Sequence, residues 1–317
     1  MSPRRLTLIV NPISGTLGSK RGVLKMVSHR LRHTDFEVSA QYTRYPGHAT
    51  DLAREAAERG DYGVIACGGD GTVNEVARAL RHTPTALAIL PAGSGNGLAR
   101  HLDIPIDLER AVDVISRDHI THADYGTANA TPFFCTCGVG FDAAVSERFA
   151  RQRRRGLAMY LKSAIDEYIQ YSPEEYIIET EGQILTERAL LVVACNASQY
   201  GNNAYIAPSA SVTDGLLDLT IVQAGSILTD AQAGLDLITG FVGRNARVHR
   251  LRTRSATIIR KSDGFGHIDG DPMMMPARID IDCHAAALRI FTPPGDKERF
   301  RPLITPVLSV LRQIFRR

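Results

Sequence analysis

Short apolar runs and helical periodicities take turns along the N-terminal third of the chain. Arg-Leu-Thr-Leu-Ile-Val over 5–10 is β-rich and stops at Asn11-Pro12. A helical pattern over about 18–33 follows, then a strand near 36–42, a helix at about 48–59 and a buried strand at 62–67. A helix at about 71–81, an apolar strand at 86–90 and a helix starting near Gly95 continue the series. This alternation predicts a parallel α/β sheet with helices on both faces, whose ligands sit at the carboxyl ends of the strands.

The texture changes after about residue 125. One long helical stretch over about 143–171 precedes strand-like runs at 175–181, 189–196, 217–223, 256–260, 277–283 and 287–292, with a helical segment at about 227–242 between them. Strands joined without intervening helices predict an antiparallel, β-rich second domain. The expected organisation is an α/β domain over 1–125, a β-rich domain over 126–300 and a tail over 301–317.

Composition narrows the class without deciding it. The 317 residues are 44% hydrophobic and 22% charged, which excludes disordered, collagen-like and disulfide-scaffold classes. Lys plus Arg is 37 against 34 Asp plus Glu, a balance too even for a dedicated nucleic-acid binder. The five cysteines are odd in number and lie mostly in apolar runs, as buried free thiols do. Cys135-Thr136-Cys137 puts both thiols on one strand face, with no second Cys/His pair to complete a zinc site. No window reaches about 18 uncharged apolar residues and the N-terminus has no signal-type apolar run, so a soluble cytoplasmic protein is expected.

Three expected strands end directly in glycine-rich turns: Asn11–Gly15, Gly68–Thr72 and Ala92–Gly97. Gly68-Gly69-Asp70-Gly71-Thr72 joins a buried strand to a helix, where glycines let a ligand approach the backbone and the helix start offers N–H groups to an anion. Asp70 and Thr72 would otherwise serve as helix caps. Pro91-Ala92-Gly93-Ser94-Gly95-Asn96-Gly97 repeats the design at the next strand end. Neither loop has the spacing of a P-loop or of a dinucleotide fingerprint.

Taken in order, Asn11-Pro12-Ile13-Ser14-Gly15, Gly68-Gly69-Asp70-Gly71-Thr72 and Pro91-Ala92-Gly93-Ser94-Gly95-Asn96 resemble the three nucleotide-site motifs of the diacylglycerol/sphingosine lipid kinase family. Gly138-Val139-Gly140-Phe141-Asp142, Ala207-Pro208, Asp214-Gly215-Leu216-Leu217-Asp218 and Asp269-Gly270-Asp271 extend the resemblance over about residues 5–292. It implies an NAD-kinase-like α/β domain, a β-rich domain, and ATP bound in the cleft between them for transfer of a phosphoryl group to a lipid hydroxyl. Asn11, Thr43, Gly68, Gly69, Asp70, Gly71, Thr72, Asn74 and Ser94 match positions around the nucleotide, with Asp70 implied to organise ATP and magnesium. In sphingosine kinases the same acid has also been assigned the base role.

Asp269 and Asp271 match the family's Asp-Gly-Glu and are implied to act as base and metal ligand, in an order left open; Asp271 is shorter than the usual Glu. A turn between two strands is the plain alternative. Asp214 through its carboxylate, and Ser211 and Leu216 through their backbone carbonyls, match a structural Mg2+ site of bacterial relatives, where an unaided Asp-Gly would read as a hairpin turn. Asp142 either contacts the acceptor head group or caps the helix that follows it.

The third loop has Gly97 where bacterial diacylglycerol kinases usually carry an acid, and its form is closer to sphingosine and ceramide kinases. That tilts the acceptor slightly towards a sphingoid base over diacylglycerol. The basic run Arg151–Arg155 and the basic amphipathic tail would meet an anionic membrane surface, or else the tail packs on the body or joins a homodimer. An NAD-kinase-like enzyme and a nucleotide-binding regulator without catalysis are the alternatives.

Overall fold

The computed structural model describes residues 3–14, 22–150, 171–295 and Ile304, the side chains of residues 148–150 and 238 excepted. The chain divides into two compact units, Met1–Ala123 with Ala286–Glu298, and Asp124–Ala285 with Arg299–Arg317.

The first unit contains β1 (Arg4–Val10), α1 (Val23–Arg30), β2 (Phe36–Tyr42), α2 (His48–Glu58), β3 (Gly63–Gly68), α3 (Asp70–Leu80), β4 (Ala86–Pro91), α4 (Gly97–His101) and α5 (Leu108–Ser116). Its strands pair in parallel in the order β4-β3-β1-β2. Every residue of β3 and β4 is buried, as expected for strands covered on both faces. The helices show why they dock. Ala49, Leu52, Ala53 and Ala56 share one buried stripe of α2, and Val73, Val76, Ala77 and Leu80 do the same on α3. Register pairs Val10 with both Tyr42 and Cys67, and Gly68 with Pro91, so four strand exits leave the same edge of the sheet.

The second unit follows with β5 (Ile120–Ala128), which enters it from the first, β6 (Thr131–Phe133), β7 (Thr136–Gly140), α6 (Phe141–Ala150), β8 (Glu174–Thr180), β9 (Gln183–Cys195) and β10 (Leu217–Gln223). Then come α7 (Ile227–Thr239), β11 (Val248–Thr253), β12 (Ser255–Ile259), β13 (Gly264–Ile268), β14 (Asp271–Met275) and β15 (Arg278–Phe291). Pairing is antiparallel in the order β14-β13-β7-β9-β8-β12-β15, with β10 between β9 and β11. The second half of β9 is buried on both faces: Val192 and Ala194 join one hydrophobic cluster, while Leu191, Val193 and Cys195 join another.

Several boundaries differ from the sequence expectation. The runs at 277–283 and 287–292 form the single strand β15, whose last residues belong to the first unit and pair Ile290 with Leu87 in parallel. Its only positive-φ residue is Ala286, at 51°. Strands β5, β6 and β11 were not among the expected runs, and the hairpin β13–β14, given only as the plain alternative for Asp269-Gly270-Asp271, is formed; segments such as Gly-Phe-Gly-His-Ile and Asp-Pro-Met-Met-Met lack a clean two-residue alternation. The expected helices at 18–33 and 143–171 are described only as α1 and α6. The basic run Arg151–Arg155, and the tail apart from Ile304, lie outside the described residues. All five cysteines are free and four are buried; burial pushes the Cys137 thiol up.

Phe133 anchors the second core. It is fully buried, and its ring fills the space that a Cβ on Gly126 would need, 2.1 Å from the ring tip. Phe133→Ala is expected to cost about 3–5 kcal/mol. Denaturant titration followed by a probe in the second unit checks this, and a loss under about 1 kcal/mol would contradict it.

Candidate functional site

The glycine-rich loops of the first unit come together at the carboxyl edge of the sheet. A Cβ on Gly93 would lie 2.5 Å from the Gly69 Cα, and one on Gly69 would lie 3.3 Å from the Gly93 Cα and 3.7 Å from Ser14 Oγ. Backbone meets backbone here, so side chains are excluded. The Asp70 carboxylate fastens the contact: Oδ2 accepts from the Asn96 N–H at 2.8 Å and Oδ1 from the Gly97 N–H at 2.6 Å. Asn96 then closes its own loop, accepting from Gly93 N–H at 3.0 Å and donating to Gly93 O at 2.9 Å.

Other predicted residues surround this contact. Asn11 donates through Nδ2 to Thr72 Oγ1 at 3.0 Å, which leaves the Thr72 hydroxyl proton available to a ligand. The Thr43 N–H donates to Val10 O at 3.0 Å and ties the exit of β2 to that of β1. Gly71 and Ser94 are exposed, whereas Gly68 and Asn74 are buried. The first turn of α3 supplies free N–H groups and the positive end of a helix dipole to this place.

Three contributors here had been given no role. Ser14 Oγ is buried with no hydrogen-bond partner among the described residues, and it sits over Gly69. Glu75 accepts from the Gly47 and Ala49 N–H groups at 2.9 and 3.1 Å, fixing α2 against α3. Asn96 adopts a left-handed backbone with φ of 51°. The Asn-Pro-Ile-Ser opening pointed to Ser14, but only folding shows its hydroxyl to lack a partner. Glu75 carries no motif signal.

In the second unit, Asp269-Gly270 is the two-residue turn of the β13–β14 hairpin, with φ of 50° and 88°. Positive φ at both central positions is what a type I′ turn demands, and Asp-Gly suits it. The Asp269 carboxylate is taken up in the fold. Oδ1 accepts from Cys135 N–H at 2.7 Å and Thr136 N–H at 2.9 Å, and Oδ2 from Phe134 N–H at 2.9 Å. Asp271 opens β14 and is exposed. The two acids expected to work together therefore have different surroundings.

Asp142 lies buried at the start of α6. Its Oδ1 accepts from Ala143 N–H at 2.9 Å, and Oδ2 accepts from Tyr200 OH and meets His267 Nε2, each at 2.9 Å. His267 Nδ1 in turn accepts from Gly270 N–H at 3.4 Å, so Nε2 carries the proton towards Asp142. This network runs from α6 to the β13–β14 hairpin. The sequence had not singled out Tyr200.

The set expected to hold structural magnesium is differently engaged. Asp214 Oδ1 accepts from Leu216 N–H at 3.1 Å, its Oδ2 pairs with Arg252, and Ser211 Oγ meets Thr213 Oγ1 at 3.1 Å. A guanidinium meets one oxygen of this carboxylate, while the ligands expected from Ser211 and Leu216 are their backbone carbonyls, which these contacts leave unused. No cluster of three or more His, Cys, Asp or Glu side chains suited to a metal exists among the described residues.

Residues 5–128 match the diacylglycerol kinase catalytic domain, and residues 135–292 match the YegS C-terminal NAD kinase beta sandwich-like domain. Together the two matches define a kinase built from an α/β catalytic domain and a β-sandwich domain. The chain is 31% identical to a diacylglycerol kinase of Bacillus subtilis (strain 168), over 71% of this chain and 75% of that protein. It is 33% identical to a diacylglycerol kinase of Staphylococcus haemolyticus (strain JCSC1435), over 72% of each. A crystal structure of a diacylglycerol kinase from Bacillus anthracis str. Sterne shares the fold, with a TM-score of 0.73 at 22% identity over 92% of this chain and 97% of that one. The chain belongs to the diacylglycerol kinase family of lipid kinases.

Burial pushes the Asp70 carboxyl above the ordinary carboxylate range, opposed by the hydrogen bonds from Gly97 and Asn96. A raised carboxyl keeps its proton longer folded than unfolded, so its contribution to stability falls as pH rises from the ordinary carboxylate value to the raised one. Asp70→Asn removes that titration. Stability–pH curves of the two proteins are expected to diverge across this window and run parallel above it; curves parallel throughout would contradict the assignment.

Proposed function

We propose that this kinase transfers the γ-phosphoryl group of ATP to the free hydroxyl of a diacylglycerol. The observation that carries the donor half is the Gly69–Gly93 contact beneath the unpartnered Ser14 hydroxyl, at the start of α3. Backbone N–H groups, the Ser14 and Thr72 hydroxyls and the exposed Ser94 are the donors that phosphate oxygens require. Asp70 holds this cradle in shape. Magnesium arriving on the nucleotide would have waters and phosphate oxygens fill most of its shell. Bound there, it would neutralise the phosphate oxygens.

On the acceptor side we assign the proton-accepting role to Asp271. Asp269 has its oxygens committed to three N–H groups, whereas Asp271 is exposed next to it. The carboxylate receives the acceptor's proton as the hydroxyl oxygen bonds to phosphorus, and ADP leaves. Asp142, His267 and Tyr200 would position the hairpin. Diacylglycerol is preferred to a sphingoid base because the third loop, which had favoured the latter, packs on Gly69 in the nucleotide unit and carries no information on the lipid. The relatives named above are also diacylglycerol kinases. The protein would act peripherally: no helix among the described residues is long and apolar enough to cross a membrane.

Labelled γ-phosphate, magnesium and mixed micelles of diacylglycerol, sphingosine, dihydrosphingosine or ceramide test the acceptor, with NAD as a control. Label in diacylglycerol alone is expected; label in a sphingoid base or NAD would overturn the assignment. Asp271→Asn should lower kcat by about 10²–10⁴-fold while nucleotide binding and the melting temperature stay near wild type. Asp269→Asn should instead unfold more easily, by about 2–3 kcal/mol, because an amide presents only one accepting oxygen to three donors. Calorimetry with a non-hydrolysable ATP analogue, thermal melts and turnover separate the two. Equal behaviour of the two variants would refute the division of roles.

A further inference from the structure

Helix α7 is amphipathic in the wrong sense for a soluble surface. Its buried positions include two acids, Asp230 and Asp236, each 7% exposed, beside Ala233. Its outward positions are Ile227, Leu228, Thr229, Ala231, Gln232, Gly234 and Leu235, none of them charged. Ile227 is 72% exposed, Leu228 82% and Leu235 53%. With about 100° per residue, Ile227, Ala231, Leu235 and Leu228 fall within one arc of about 100°. The large apolar groups therefore form one stripe facing out.

The inward acids hold the helix in this orientation. Asp230 pairs with Arg247 at 3.3 Å, and Asp236 accepts from Asn245 Nδ2 at 2.7 Å and Gln232 Nε2 at 2.8 Å. A Ser226–Thr229 capping box starts the helix and Gly240, φ 79°, ends it. Rotating α7 to hide the leucines would break these bonds and bring two buried carboxylates into solvent. The apolar stripe is thus built in.

Charge identifies what the stripe meets. From Gly240 to Arg252 the chain has four arginines, one histidine and no acid. Arg247, Arg250 and Arg252 are paired with Asp230, Asp218 and Asp214. Arg244 is exposed on the 3-10 turn Val242–Arg244 just after the helix. It lies 5.3 Å from the Phe241 ring centroid and has no carboxylate partner among the described residues. Protruding apolar side chains, an uncharged helix face and an adjacent unneutralised guanidinium suit an anionic bilayer surface, where the side chains enter the headgroup–acyl boundary and the arginine meets lipid phosphate.

We infer that the outward face of α7, led by Ile227, Leu228 and Leu235 with Arg244 beside it, is a docking surface for an anionic lipid bilayer. The inference draws its purpose from the lipid-acceptor proposal but not its test. Flotation of the full chain with vesicles of phosphatidylcholine, with or without phosphatidylglycerol, reads binding directly. Ile227→Ser/Leu228→Ser should weaken association at least about tenfold with an unchanged melting temperature, since each buried side chain of this size is worth on the order of tenfold. Arg244→Glu should erase most of the preference for phosphatidylglycerol vesicles, and added salt should do the same to wild type. Transfer to a monomeric short-chain diacylglycerol should be unchanged in all variants.

Failure of wild type to bind vesicles, or full binding by the folded double variant, would overturn the inference. So would loss of a dimer by light scattering with vesicle binding intact, which would give the face to a second copy. If no lipid is phosphorylated while α7-dependent vesicle binding holds, the acceptor proposal falls and this surface stands.

Discussion

The first unit depends on one close approach, that of Gly69 to Gly93. Two loops leaving adjacent parallel strands touch backbone to backbone here because position 93 has no Cβ, which would lie 2.5 Å from the Gly69 Cα; at Gly69 a Cβ would be tight, at 3.3 Å. Asp70 makes the contact permanent by accepting from Asn96 and Gly97. The same carboxylate begins α3, so the helix start, the second loop and the third loop are oriented together. Partial burial of Asp70 raises the cost of its charge, and the two N–H donors offset part of that cost. What results is a helix start whose backbone N–H groups lie beside two glycine-rich loops, an arrangement suited to an anion.

The second unit uses a carboxylate in a comparable way. Asp269 gathers three successive N–H groups at 134–136, which anchors a type I′ hairpin to the chain ahead of β7. The neighbouring buried network of Asp142, Tyr200 and His267 holds the hairpin from its other side, through Gly270 N–H. Between these two restraints the chain presents Asp271. Of the two acids in Asp-Gly-Asp, then, one has its carboxylate held by three backbone N–H groups, and the other stands exposed at the start of β14. A carboxylate held in this way would have to release its backbone donors to take up a proton, at a cost of several hydrogen bonds to a charged group.

Arg252 at Asp214 and the inverted helix α7 show how far side-chain context alters a pattern. Asp214-Gly215-Leu216 has the residue types for an oxygen-ligated cation, yet a strand residue far away in sequence brings a guanidinium to the carboxylate. Helix α7 has an ordinary composition for a surface helix, but its acids turn inward because Arg247 and Asn245 wait there. In both places the decisive partner arrives through strand β11 or the turn before it.

The sequence by itself determined the α/β-then-β order, the strand exits of the first unit and the three glycine-rich loops. These features are local: apolar periodicity selects helix or strand, and a strand ending in Gly-Gly-Asp-Gly-Thr has few other uses. The family resemblance likewise rested on short contiguous motifs. Tertiary structure alone decided what each polar group faces. Asp269 acquired three partners, Asp142 joined His267 and Tyr200, Asp214 met Arg252, and Ser14 Oγ has no hydrogen-bond partner among the described residues. Each outcome depends on residues tens of positions apart brought within about 3 Å of one another, and hydrogen-bond energy at that range is set by geometry that no local pattern encodes. For the same reason the short strands β13 and β14 were hidden, since their pairing is imposed by the Asp269-Gly270 turn and by β7 rather than by their own composition.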